Sequence, residues 1–465
     1  MLLATGVAAY FDESYWLLVP VGLIFFIYTM QQPLHLFYIL LATIPWSIEY
    51  NITPALGTDL PDEPLMLLLS FISISYIIFK RKELSLRKIH PLVWLVIFHF
   101  IWLCVTVIFS SHLLFSIKFA LAKGWYLFAF VAAPLFFVKD AKELKTAAII
   151  LVVCMVSFAM LALYKHAPYN WSFEKINTAL EPVYRNHVNY SALLVFMVPI
   201  QLAIIRLVHS RQAKNILIFI LLISLVALYF SYARGAWLSL ITGYGGYWLL
   251  KKRMLFFGFV LGMFLTIAAV FYLKHEDRYV AYSHDYKTTV FHTNFKEHLV
   301  ATYKMKDVST AERYYRWIAG VRMIKDGWQT GFGPNTFYYH YKSYTVPAYK
   351  TWVSVNKEKS TVHNYFLFLL IEQGILGFLL FVFTLGAMFW YLQRIYARTS
   401  KRFWKIFVAT MASILVMICT INFLSDLIES DKVGSIFYII LAFTIIADRK
   451  TKQESDLAAD IQGIS

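Results

Sequence analysis

Apolar residues run in blocks of about twenty along almost the whole chain, and a block of that length is what crossing a bilayer core requires. The blocks predict helices over roughly 15–30, 33–48, 64–79, 91–110, 116–138, 144–163, 189–207, 216–233, 236–250, 254–273, 363–390, 404–422 and 433–447. Those are thirteen spans, within a range of about 12–14, and the fold class they predict is an all-α polytopic membrane protein. One polar interruption, 274–362, is far longer than the others. The chain therefore divides into a helical bundle of about ten spans (1–273), a large loop with short helices (274–362), C-terminal membrane helices (363–447) and a tail (448–465).

Composition agrees with the pattern. Only 15% of the 465 residues are charged, where a soluble domain carries about 25%. Charge then orients the spans. Basic loops at 80–82, 139–145, 206–214, 251–253, 394–405 and 449–450 all fall on one side of the bundle under this helix count, and that side is expected to be the cytoplasm. The start, MLLATGVAAYFDESYW, lacks the basic n-region of a cleavable signal peptide. Cys104, Cys154 and Cys419 sit inside expected spans with no metal-like or disulfide-like spacing, as small buried apolar residues would.

Three segments face the opposite, outer side. The first, 49–63, is acidic, contains prolines and reads as a plain connector. The second, 164–188, contains His166, Arg185 and His187. The third is the large loop, with fourteen Lys/Arg against eight Asp/Glu, a surplus of six positive charges. An anionic partner accounts for that surplus; a solvated loop with scattered charge is the alternative. Within it, STAERYYRWIAGVRMIK (309–325) predicts a helix capped by Ser309 or Thr310, with Glu312 completing a capping box. Arg313, Arg316 and Arg322 lie along it, and GFGPN (331–335) ends it as a turn. The loop is rich in Tyr and Trp, which suit either the membrane interface or stacking on sugar rings. Nucleic acid is not an expected partner for an external loop of this kind. His275, His284, His292 and His298 lack metal-ligand spacing, so no metal is expected.

Two residues stand out chemically. Arg234, in SYARGAWLSL, occupies a tight hairpin between two spans, with Gly235 expected to permit the turn. An arginine there either engages an anion through its planar fork or snorkels to the interface. His363 opens HNYFLFLLIEQGILG at the lip of a span. An ionisable group at such a place suggests function, although a lip histidine can also be a satisfied interface residue. If 363–377 is one continuous helix, Gly374 lies almost in line with His363, about 16 Å deeper, and Gly377 within about 40° of that line. Glu372 then points to the opposite face.

His363-Asn364-x9-Gly374-x-x-Gly377 and Arg234-Gly-Ala-Trp-Leu238 resemble the patterns of the O-antigen ligase and O-antigen polymerase superfamily, bacterial inner-membrane glycan transferases. GFGPNTF resembles a turn of the same loop, and the resemblance covers about 180–390. It implies a GT-C-like glycosyltransferase with one large periplasmic loop. The implied donor is a glycan on undecaprenyl diphosphate, and the acceptor is a sugar hydroxyl such as that of lipid A–core. It further implies that His363 acts as general base, Arg234 binds diphosphate, and Arg313, Arg316, Arg322, Arg185 and Asn364 assist in binding substrate. Gly235, Gly374 and Gly377 belong to the motifs. Neither metal nor nucleotide is required, and direct displacement inverts the anomeric centre. Joining lipid-linked repeat units, O-glycosylating a protein, or acting as a transporter are the rival readings.

Overall fold

The computed structural model describes residues 18–53, 56–83, 85–276, 278, 308–346 and 361–463. Each expected span falls on a helix. In chain order these are α1 (Leu18–Gln31), α2 (Pro33–Thr43), α3 (Asp62–Phe79), α4 (Pro91–Ile108), α5 (Leu113–Phe137), α6 (Ala141–His166), α7 (His187–Leu207), α8 (Arg211–Tyr229), α9 (Arg234–Lys251) and α10 (Leu255–Lys274). After α11 (Val308–Gly327), which belongs to the large loop, come α12 (Tyr365–Arg398), α13 (Arg402–Leu424) and α14 (Asp431–Gly463). Among the described residues nine helices (α3–α8, α10, α12 and α13) are long and apolar enough to cross a membrane. The protein is an all-α polytopic membrane protein.

Three features differ from the reading of the sequence. The first two expected spans form one bent pair, turning by 114° at Pro33, whose missing N–H cannot continue α1. The acidic connector is an antiparallel hairpin, β1 (Ile48–Thr53) with β2 (Leu56–Leu60), in which Ile48 faces Leu60 and Thr53 faces Leu56. Cys104 is exposed on α4, and Cys154 and Cys419 are only partly buried, where the sequence predicts all three to be buried. In a bilayer such a surface meets lipid, so apolar residues need not turn inward. α10 is the extreme case, with 6% of its apolar window buried.

Contacts gather five of the basic loops at one end, together with His90 at the start of α4. Arg402 donates to the Arg206 carbonyl (2.6 Å) and Arg206 to the Tyr247 hydroxyl (3.2 Å). Lys251 lies over the Tyr247 ring and Lys145 over Phe403. Arg398 pairs with Asp448 at 2.9 Å, and His90 meets the same carboxylate at 3.5 Å. The other end carries the hairpin, the turn between α8 and α9, and His363.

Local chemistry starts the helices where they start. Asp140 and Glu143 form a reciprocal capping box at α6, and the Asn186 carboxamide accepts from Val188 and Asn189 at α7. α9 then docks on α13 through small residues. A methyl group on Gly243 would lie 2.7 Å from Met417, and one on Gly246 would lie 2.7 Å from Val416. Such close approach is how membrane helices associate where burial from water gives no drive. It fixes the start of α9, and with it Arg234, against the end of α13.

Candidate active site

His363 is not part of the helix. Its φ is +53°, a left-handed value uncommon outside glycine. α12 begins two residues later, capped by Asn364, whose Oδ1 accepts from the Leu367 N–H (2.9 Å). The other end of the same carboxamide donates to the Phe423 carbonyl (2.9 Å), and the Tyr365 N–H donates to the Ser425 carbonyl (3.0 Å). Asn364, expected among the substrate-binding residues, thus ties the lip of α12 to the end of α13. The strained histidine is held by two elements at once, and strain of this kind clusters at functional sites.

The element across from it is the loop between α13 and α14. Asp426 places an Oδ1 at 4.0 Å from His363 Nδ1, and the carboxylate is largely shielded. The Thr361 hydroxyl bonds to the same carboxylate, while the Thr361 carbonyl accepts from Arg316 (2.9 Å). Burial, reinforced by the charges of Arg316 and Arg313, pushes the His363 imidazole down to about 3. Burial also pushes Asp426 up to about 6. A third of the imidazole surface, 34%, remains accessible. The result is a neutral, reachable ring with a carboxylate beside one nitrogen, the arrangement a general base uses.

The arginines separate by role. Arg316 is fully buried, bonded to Glu312 at 3.3 Å and lying over the Tyr341 ring. It braces the Thr361 loop and supplies field rather than contact. Glu312 is therefore an i,i+4 partner of Arg316, and α11 begins at Val308, ahead of Ser309 and Thr310. Arg313 is half-buried and donates to the Leu424 carbonyl (2.9 Å). Gly235 approaches the Leu424 side chain, so Arg234 and Arg313 flank the same end of α13, beside Asp426. Arg322 is exposed, six residues beyond Arg316 and on another face of α11. Arg185 pairs with Glu49 on the hairpin. Neither is brought to His363 by these contacts. The α8–α9 turn has its left-handed residue at Tyr232 (φ +56°), whereas Gly235 is helical.

The continuous helix expected over 363–377 is broken. Gly374 has φ +67° and ψ −170°, and the GFGPN turn docks into the break. Phe332 and Gly333 donate to the carbonyls of Ile371 (2.9 Å) and Glu372 (3.1 Å), and Ile375 donates to that of Trp328 (2.8 Å). The Glu372 carboxylate accepts from three consecutive N–H groups, Asn335 (2.6 Å), Thr336 (2.9 Å) and Phe337 (3.0 Å). Glu372 thus anchors the loop on the membrane helix. Gly377 is packed by Gln373 and Trp102. Gly374 serves the incoming loop, whereas Gly377 admits Trp102 of α4 against α12, the close helix approach expected of a small residue.

Residues 219–382 match the family model described as O-antigen ligase. The match runs from α8 into α12 and includes Arg234, Arg313, Arg316, the GFGPN turn, His363 and the Gly374 break. No curated protein matches the chain.

Proposed function

We propose, from the membership of this chain in the O-antigen ligase and polymerase superfamily, that it transfers a glycan from undecaprenyl diphosphate to a sugar hydroxyl at the periplasmic face of the inner membrane. The observation that carries the reading is the accessible, neutral imidazole of His363 beside the Asp426 carboxylate, with Arg313 and Arg316 acting on the ring. His363 takes the proton of the acceptor hydroxyl as that oxygen attacks the anomeric carbon. The anomeric bond to diphosphate breaks, and configuration inverts. Asp426 orients the ring and stabilises the imidazolium that forms. Arg234 and Arg313 meet the diphosphate and the charge developing on it. Burial and the two cations make the resting imidazole a weak base. A bound diphosphate would offset those cations, so the base strengthens when donor is present. Lipid A–core is the acceptor favoured by the ligase-type motif; a second lipid-linked glycan would make the enzyme a polymerase.

The direct test is transfer by purified protein from a lipid-diphosphate glycan to defined acceptors, without nucleotide or added metal. Dependence on lipid A–core supports the ligase reading, and extension of the donor alone supports polymerisation. No transfer to any acceptor would sink both. Arg234→Ala is expected to weaken donor binding about 10- to 100-fold, the loss of one or two charge-assisted hydrogen bonds of about 1.5–3 kcal/mol. Donor titration at fixed acceptor reads this; unchanged donor affinity would remove the arginine from the diphosphate site.

A further inference from the structure

A cavity lies away from His363, where the end of α11 meets the outer end of α4. Its volume is about 360 Å³, and its lining includes Phe109, Ser111, Asp326, Trp328, Gln329 and Thr330. Trp328 is 54% and Phe109 59% exposed. Both offer apolar ring area to whatever enters. The rim between them is polar and uncharged except for Asp326, one of whose oxygens accepts from the Tyr344 hydroxyl (2.7 Å). Among the described residues no lysine or arginine is in the lining. A phosphate or anionic headgroup would find a carboxylate there and no cation. A purely apolar ligand would leave Asp326 and Gln329 facing it unmatched.

The floor is rigid. Gly331 packs so closely on the broken helix that a methyl group there would lie 2.3 Å from the Glu372 carbonyl carbon. The wall opposite is fixed by Ser111, bonded to His340 Nε2 at 2.7 Å. A cavity of this size, with exposed aromatic faces and a few placed polar groups, suits a small amphipathic ligand. A pyranose ring has that character: a C–H face that stacks on an aromatic ring and a rim of hydroxyls that donate to carboxylate and amide.

We propose that this cavity is a glycan-binding subsite, holding one or two neutral sugar rings of the transferred chain away from the reacting end. The proposal rests on the transferase reading and names where its polymer lies. From Tyr365 to Gly374 α12 advances nine residues, about 14 Å, so the subsite contacts sugars beyond the one being joined. It grips chain length rather than the diphosphate. Its wall is the loop that fills the α12 break, so occupancy also braces the helix that starts beside His363.

The test uses full-length protein in nanodiscs. The probes are lipid-free oligosaccharides of one to eight repeat units, released by mild acid from the host's own lipid-linked glycan. Trp328→Ala, at an exposed position, is expected to weaken binding of the longer oligosaccharides at least 10-fold, and Trp328→Phe to restore most of it. In transfer assays, KM for long-chain donor should rise by a similar factor. Transfer of a single-repeat donor and kcat should stay unchanged. Equal oligosaccharide affinity in wild type and Trp328→Ala overturns the proposal. So does loss of a spin-labelled phospholipid from the cavity with glycan binding intact, which would assign it to a lipid headgroup. If oligosaccharides bind through Trp328 but no donor is ever transferred, the subsite stands and the transferase reading falls.

Discussion

His363→Ala is expected to lower transfer about 10²- to 10⁴-fold, the range for losing a general base, while donor binding persists. The measurement is kcat from the lipid-linked donor, beside donor affinity in the same preparation. Equal rates in variant and wild type would remove the histidine from catalysis. pH dependence separates the two partners. Because the folded imidazole titrates near 3, it is neutral throughout the working range. The acid limb of kcat/KM, which reports the free enzyme, therefore belongs to Asp426, near 6. Asp426→Asn should lower kcat and remove that limb. A limb surviving near 6.5 in Asp426→Asn would mean that His363 titrates like a solvated histidine.

The same shifts act on stability with opposite signs. His363 has its folded value lowered. Its contribution is complete above about 6.5, the unfolded value, and is lost as pH falls towards 3. Asp426 has its folded value raised. Its contribution is complete below about 3.9 and is lost as pH rises through 6. Between about 4 and 6 the two oppose each other. Thermal unfolding in detergent should therefore grow less stable with rising pH across that window in His363→Ala. It should grow less stable with falling pH in Asp426→Asn.

Much of this arrangement was legible in the chain, for reasons that differ by element. The apolar blocks located the helices because a bilayer demands a fixed length. The hairpin Arg234 and the lip His363 stood out because charge is scarce in such positions. Asp426 did not stand out. It lies about sixty residues beyond His363, and only the return of α13 to the same end brings the two together. The one signal was a run of carboxylates, Asp426, Glu429 and Asp431, directly after an apolar block. The roles of Arg313 and Arg316 were equally hidden. They are near neighbours on α11, and tertiary packing alone buries one and leaves the other half-open. Spacing also placed Gly374 beneath His363 by assuming unbroken helix. Periodicity cannot report one residue at φ +67°, because the apolar blocks on either side remain helical.

That residue carries the largest structural effect expected in the molecule. Gly374→Ala places a methyl group 2.2 Å from the Gln329 carbonyl oxygen and 2.5 Å from its carbon. Neither can swing aside as a side-chain tip would, because the following turn is fastened to Ile371, Glu372 and Ile375 by backbone hydrogen bonds. The conformation itself, φ +67° with ψ −170°, belongs to a region open almost only to glycine and costs other residues about 1–3 kcal/mol. Overpacking against fixed backbone adds about 1–3 kcal/mol more. A loss of about 2–6 kcal/mol follows, enough to lower yield and melting temperature sharply. A helical 374 would straighten α12 and expel the turn, leaving Glu372 in the bundle without its three N–H donors, a buried carboxylate that membrane and protein interior both penalise. Straightening is thus no escape route. Gly377→Ala makes the contrast in conformation: residue 377 is helical, so alanine there carries no φ cost, and its methyl would crowd the Gln373 Cβ (2.5 Å) and Trp102 (3.3 Å) rather than a neighbouring backbone. Fluorescence-detected thermal unfolding of the two variants in one detergent should show a much lower midpoint for Gly374→Ala. Equal midpoints would mean that the α12 break is not a fixed part of the fold.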